Sequence, residues 1–166
     1  TPIKGLVIDV ATGPGTYGRR VAGDGRTVYG IDISQDMMSV GMEKVKREGI
    51  SGMHFSRADV EALPFGEGVF AAGIASGCLH LFPDTLKALH EISRTLLPGA
   101  PLVVVTFAWG DRGILKYDWA RQRIRARGRM TIFDIHTLPA LLDQAGFDFF
   151  DPDARGGVLL FRARKR

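Results

Sequence analysis

The stretch Gly5-Leu-Val-Ile-Asp9-Val-Ala11-Thr-Gly13-Pro-Gly15-Thr-Tyr-Gly18, followed by a helix-length run and then Thr27-Val-Tyr-Gly-Ile-Asp32-Ile-Ser34, decides the fold. An apolar run from Leu6 to Val10 breaks into glycines and resumes in a helical pattern, which reads as strand, tight turn and helix. Gly13 and Gly15 carry no Cβ, so a ligand can lie against the main chain there, with the free N–H groups of the helix start pointing at it. A second apolar run ends in Asp32, nineteen residues after Gly13. Nucleotide-binding β-α-β units place at that distance the carboxylate that accepts hydrogen bonds from ribose hydroxyls.

Gly13 to Gly18 also satisfies G-x-G-x-x-G, which alone suggests a dinucleotide. The residues before it point elsewhere. A dinucleotide strand runs apolar into its first glycine, whereas here Asp9 intrudes, followed by Val10, Ala11 and Thr12. A carboxylate at the strand end suits a ligand with a cationic amine; the alternative is that Asp9 only caps the turn.

With 166 residues the chain has the size of one domain, able to bury roughly 70% of the surface its unfolded form exposes. A single cysteine, Cys78, excludes an internal disulfide and a cysteine-based zinc cluster. No apolar stretch reaches membrane-spanning length and no signal peptide is visible at the N-terminus, so a cytoplasmic location is expected. The net charge is +4, and the basic residues cluster: Arg112 to Arg129 holds seven Lys or Arg against one acid, and Arg162, Arg164, Lys165 and Arg166 close the chain. Such runs attract anionic partners or simply form a solvated face.

Along the chain the spacing predicts a short helix near Tyr17 to Ala22 and a strand from Thr27 to Ile31. A helix capped by Ser34 follows to Glu48, with Met37, Met38, Val40, Met42 and Val45 as its apolar side and Gly49 as its stop. Further strands are expected at Met53 to Arg57, Phe70 to Ala75 and Pro101 to Phe107, with a helix opened by Pro83 between the last two. Trp109 to Gly128 has near-helical apolar spacing among arginines and reads as a basic amphipathic helix outside the core. Another helix from Thr137 to Gln144 precedes two closing strands, Phe147 to Phe150 and Val158 to Phe161. The expected fold is α/β, a Rossmann-like three-layer sandwich whose seven-stranded sheet is mostly parallel and ends in an antiparallel hairpin.

The order D-x-A-x-G-x-G from Asp9, G-x-D-x-S from Gly30, D-V-E-x-L-P-F from Asp59, L-H-x-F-x-D from Leu79, E-I-S-R-x-L-x-P-G from Glu91 and A-G-F from Ala145 covers nearly the whole chain. It resembles the class I S-adenosylmethionine-dependent methyltransferases, and among them the ubiquinone and menaquinone biosynthesis family. The resemblance implies S-adenosyl-L-methionine as cofactor. Asp9 would face its methionine amino group, with Ala11, Gly13 and Gly15 along the tail. Asp32 would take the ribose hydroxyls, Ile33 and Met37 the adenine faces, and Asp59 the adenine amine beside the Val60 backbone. Ala75 and Ser76 would supply a carbonyl near the amino group. Met37 reads equally well as core. Three departures stand out: Ala11 where glycine is common, Ala71 where an aspartate follows the phenylalanine, and Ala100 in place of a turn's second glycine. Relatives also carry helices ahead of the first strand that cover the site, whereas here that strand begins within about six residues of Thr1. A single domain spanning 1–166 is therefore expected to hold a site that is open or completed by a second chain, in a homodimer or with a partner.

Methyl transfer needs no metal and rests on holding two reactants at near-attack distance away from bulk water. A base is needed only for an acceptor that must lose a proton. His80, just past the fourth strand, is the candidate, against the reading of a histidine satisfied by its surroundings. Segment 109–130 is expected on the substrate side, with Trp109, Tyr117, Trp119 and Arg121 as walls for an anionic or aromatic small molecule, or else docked on the core. Three rivals stay open: a nucleic-acid acceptor drawn by the arginines, a noncatalytic subunit keeping the cofactor fold, and an NAD-dependent oxidoreductase.

Overall fold

A computed structural model describes residues 3–109, 131 and 133–166. The elements are β1 (Gly5–Val10), α1 (Gly18–Val21), β2 (Arg26–Asp32), α2 (Gln35–Glu48), β3 (Met53–Arg57) and β4 (Ala72–Ser76). A 3₁₀ turn (Leu79–Leu81), α3 (Thr85–Thr95), β5 (Pro101–Trp109), β6 (Phe133–Asp134), α4 (Leu138–Gln144), β7 (Phe147–Arg155) and β8 (Val158–Lys165) complete them. The sheet runs β3-β2-β1-β4-β5-β8-β7, with β6 adding two residues beside the end of β5. β1 to β5 pair in parallel, while β8 is antiparallel to both β5 and β7. The expected Rossmann-like sandwich is therefore present.

Successive strand residues point to opposite faces, and β1 shows what that does to the core. Ile8 and Val10 join the larger cluster against α3 and α4, whereas Val7 joins Val28, Met53 and Ala72 on the α1 and α2 side. Because the chain leaves β1 for β2 on one side and β4 lies on the other, the strand order reverses at β1. In open α/β sheets that reversal leaves a crevice outside the carboxyl ends of the strands. β1, β2 and β4 end at Val10, Asp32 and Ser76, and the turns that follow them enter it.

Several boundaries differ from the sequence reading for local reasons. Helix α3 begins at Thr85 and not at Pro83, because the Asp84 carboxylate accepts from Lys87 N at 3.0 Å and so caps the first turn. Phe70 lies ahead of β4 and bridges Leu96. β7 and β8 run well past Phe150 and Phe161; a register shift between Phe150 and Asp153 carries β7 across Pro152, which has no N–H for the ladder. Trp109 ends β5 instead of opening a helix, and residues 110–130 lie outside the described residues.

Helix α2 has the predicted ends, with Ser34 Oγ accepting from Met37 N and Gly49 at φ +64°. Its buried stripe is different: Met38 and Gly41 are buried and Val45 half-buried, while Met37, Val40 and Met42 are exposed. Gly41 seats the helix. A Cβ there would lie 2.6 Å from Phe55 Cζ and 3.1 Å from the Pro14 carbonyl carbon. Gly41→Ala should therefore lower the melting temperature by several degrees, since overpacking of roughly 1–3 kcal/mol outweighs the helix-propensity gain of about 1 kcal/mol. A raised melting temperature in thermal denaturation would contradict this seating.

Candidate functional site

The turn after β1 is built from its backbone outward. Thr12 N donates to Ile31 O at 2.9 Å and Gly15 N donates to Thr12 O at 2.9 Å, so the turn is tied to β2 and closed on itself. Ala11, Gly13 and Gly15 take φ of +48°, +53° and +71°. For Ala11 that conformation costs roughly 1–2 kcal/mol, strain of the kind stored at binding sites. The two glycines do different jobs. Around Gly13 a Cβ would meet nothing within 4 Å, whereas at Gly15 it would sit 2.8 Å from Phe55 Cζ. Gly13 is open to a ligand, while Gly15 is buried and lets the turn pack onto β3. Of the two, Gly13 lines the cavity described below.

Asp9 is only 2% exposed, and its Oδ2 accepts from Thr12 Oγ1 at 2.6 Å and from Gly18 N at 3.1 Å. It thus organises the turn and the start of α1, as the capping alternative has it, and it does not line the cavity described next. Burial pushes its carboxyl up to about 6; the bonds from Thr12 and Gly18 oppose that rise and the Asp32 carboxylate adds to it. Asp32 is the counterpart at the surface. Its Oδ2 accepts from Gly13 N at 2.7 Å and its Oδ1 from Ser34 N at 2.8 Å, each oxygen keeping acceptor capacity.

The crevice is a cavity of about 450 Å³. Ala11, Gly13 and Pro14 after β1, Asp32, Ile33 and Met37 after β2, and Ala58, Asp59 and Val60 after β3 form three of its sides. Gly77, Cys78, Leu81, Phe82 and Pro83 after β4 form the fourth. Ile33 and Met37 are 66% and 52% exposed, so Met37 is a cavity wall and not core. Asp59 closes its own turn, accepting from Glu61 N at 2.9 Å. Among the described residues, Asp32 and Asp59 are the charged ones on the wall.

Ala75 is fully buried and Ser76 half-buried, and neither reaches the cavity. The ladder continues one residue further, with Gly77 N donating to Val105 O, and Gly77 at φ +70° then turns the chain outward. Gly77 and Cys78 are thus the residues that line the cavity directly after β4. Burial pushes the Cys78 thiol up to about 12, which keeps it neutral. Pro14, Gly77, Cys78 and the Leu81-Phe82-Pro83 corner were missing from the sequence-based site; the L-H-x-F-x-D pattern was the one signal that pointed toward that corner.

His80 is buried behind this wall, its Nδ1 3.4 Å from Thr106 Oγ1 and its ring edge-on to Phe107. Burial lowers its pKa, so it is neutral at pH 7. Trp109 is the last residue of β5, and Tyr117, Trp119 and Arg121 lie outside the described residues. Among the described residues no three His, Cys, Asp or Glu side chains gather to hold a metal ion, and no helix is long and apolar enough to cross a membrane.

A methyltransferase domain family matches residues 7–99, from β1 through the turn after α3. The chain belongs to that family. The methyltransferase domain is 36% identical over 113 residues to the demethylmenaquinone methyltransferase of Bacteroides fragilis, covering 66% of this chain and 46% of that protein. It is 29% identical over 166 residues to the ubiquinone/menaquinone biosynthesis C-methyltransferase of Marinomonas, covering 86% and 66%. It thus spans about half to two thirds of the length of these relatives. Among solved structures, a methyltransferase from Methanosarcina mazei described as SAM-dependent superposes with TM-score 0.83 at 19% identity, over 99% of this chain and 94% of that one. The [4+2]-cyclase SpnF gives 0.83 at 22% identity over 98% and 76%. At such identities the superpositions establish the fold.

The buried Asp9 yields a test with a definite sign. Its carboxyl ionises near 3.8 in an ordinary setting and about 6 in the folded domain, so between those values the folded form holds a proton that the unfolded chain has lost. The stability this contributes is full below about pH 4 and is lost as pH rises to about 6, by up to about 3 kcal/mol. Asp9→Asn keeps an acceptor for Thr12 and Gly18 but does not ionise. Its melting temperature relative to the wild type should therefore climb from pH 4 to pH 6; a constant difference would refute the shift.

Proposed function

We propose that this domain binds S-adenosyl-L-methionine in the crevice beside β1 and serves a methyltransferase acting on a small molecule. The observation that carries the reading is the Asp32 carboxylate at the end of β2, facing a cavity beside the open Gly13 turn. The shape and chemistry fit the cofactor: carboxylates for hydroxyls and an amine, and apolar Ile33 and Met37 for a flat base.

In this reading Asp32 accepts from the ribose hydroxyls, Ile33 and Met37 flank the adenine, and Asp59 accepts from its amine beside the Val60 backbone. Ala11 and Gly13 follow the methionine tail, with Gly77 and Cys78 on the opposite side. Bound S-adenosyl-L-methionine supplies an electrophilic methyl group on a sulfonium whose charge disappears as the methyl leaves. The chain's own contribution is to fix one reactant, exclude water and keep negative charge near a cation. His80 has its partners in Thr106 and Phe107, away from the cavity, so the proposal assigns it no proton transfer.

The quinone-biosynthesis relatives support a ring-bearing aromatic acceptor. We place it on the 109–130 side, where Trp109, Tyr117, Trp119 and Arg121 offer aromatic faces and a cation. Of the arginines that close the chain, Arg162 pairs with Asp151 and Arg166 with Asp143, which weakens their draw on a nucleic-acid acceptor.

Calorimetry with S-adenosylhomocysteine and NAD tests the cofactor class, the former binding and the latter not. Asp32→Ala would release both Gly13 N and Ser34 N, whereas Asp32→Asn keeps an acceptor for one of them and is the milder variant. Losing charge-assisted bonds of roughly 1.5–3 kcal/mol should weaken S-adenosylhomocysteine about tenfold or more. Unchanged affinity in a folded Asp32→Asn protein would remove the ribose assignment.

A further inference from the structure

Two sequence patterns with no part in the cavity, Leu63-Pro64-Phe65 and Glu91-x-x-Arg94, turn out to be one structural unit. Arg94 forms a fork with Glu91: Nε donates to Oε1 and Nη2 to Oε2, both at 2.8 Å. The same guanidinium donates to Phe65 O at 2.7 Å through Nη1 and to Leu63 O at 3.1 Å through Nη2. Glu91 Oε2 in turn accepts from Leu63 N at 2.8 Å. The loop is held at a second point by Glu61, whose Oε1 accepts from Asp84 N at 2.8 Å and whose Oε2 pairs with Lys87 at 3.5 Å.

Helix α3 therefore grips the loop from Glu61 to Phe65 at both ends, and the residues immediately before that grip are Asp59 and Val60, on the cavity wall. The two are linked by the main chain: Glu61 N donates to Asp59 Oδ1 and Ala62 N to Asp59 O at 3.1 Å. Arg94 and Glu91 are about one quarter exposed, at 30% and 22% for their side chains, so solvent does not replace these bonds freely. A carbonyl and an amide of one loop residue, Leu63, are both satisfied by this pair, an arrangement that fixes a loop's rotation as well as its position.

We propose that Glu91 and Arg94 are positioning residues for base recognition: by clamping the Leu63-Pro64-Phe65 segment they hold Asp59 and Val60 where an adenine amine is selected. This rests on the cofactor reading above and adds a residue pair that never touches the ligand. A looser clamp lets Asp59 move, so the site keeps its ribose anchor at Asp32 but loses discrimination at the base. Lysine at position 94 keeps the charge but cannot make the fork and both carbonyl bonds at once.

The test compares two ligands by calorimetry, S-adenosylhomocysteine and S-inosylhomocysteine, which carries an oxygen in place of the adenine amine. The wild type should prefer the first by about tenfold. In Arg94→Lys that preference should shrink toward parity, and hydrogen exchange at the Ala62 and Leu63 amides should quicken while exchange in β1 stays unchanged. Glu91→Gln, which retains an acceptor for Leu63 N, is the milder second variant and should shift the ratio in the same direction. A variant with a lower melting temperature but an undiminished preference shows that the pair is only structural, overturning the proposal while leaving the cofactor reading intact. A wild type that binds neither ligand overturns both.

Discussion

Asp32 ties the turn after β1 and the start of α2 to the end of β2. One carboxylate oxygen takes the Gly13 amide of the turn after β1, and the other takes the Ser34 amide that begins α2. Charge-assisted bonds of this kind are about twice as strong as neutral ones, and here they also set the angle at which the turn and helix leave the sheet. The site depends on that junction: Gly13, Ile33 and Met37 are cavity walls because Asp32 holds their backbones around one corner. Beneath it Asp9, Thr12 and Gly18 form a buried second layer, which fits only because Gly30 leaves the Thr12 side chain room.

Division of labour between the two acids explains a feature that their sequence positions do not reveal. Both stand at or near strand ends, and the resemblance gave both a direct part in ligand binding. The structure spends Asp9 on the turn itself and leaves Asp32 facing the crevice. Alternation is the cause: Asp9 shares the β1 face of Val7, toward α1 and α2, where Gly18 and Met53 close over it. An acid buried this way adds negative potential beneath the site when it is ionised.

Much of the fold was legible because period, caps and turn residues agreed with one another. Ser34 and Gly49 marked both ends of α2, and strand-helix alternation gave the parallel sheet and its closing hairpin. The apolar face of α2 was misread in part because hydrophobicity alone cannot tell a core position from a ligand wall: Met37 is exposed to the cavity, while beside the buried Met38 the second buried position is a glycine with no side chain to count. The turn after β4 was illegible for a similar reason. Where a buried strand gives way to its turn depends on the Gly77 to Val105 bond, a contact with a strand nearly thirty residues away that no local pattern encodes. Likewise the pairing of Arg94 with Leu63 and Phe65 crosses a strand, and only the assembled structure connects the two patterns.

A crystal structure of the domain with S-adenosylhomocysteine decides whether the Asp32 corner is a cofactor site. Both ribose hydroxyls are expected at hydrogen-bonding distance, about 2.6–3.0 Å, from the Asp32 carboxylate, with Gly13 N still bonded to Oδ2 and the adenine between Ile33 and the Asp59 loop. A ligand bound elsewhere, or one in this crevice whose ribose avoids Asp32, would contradict that assignment.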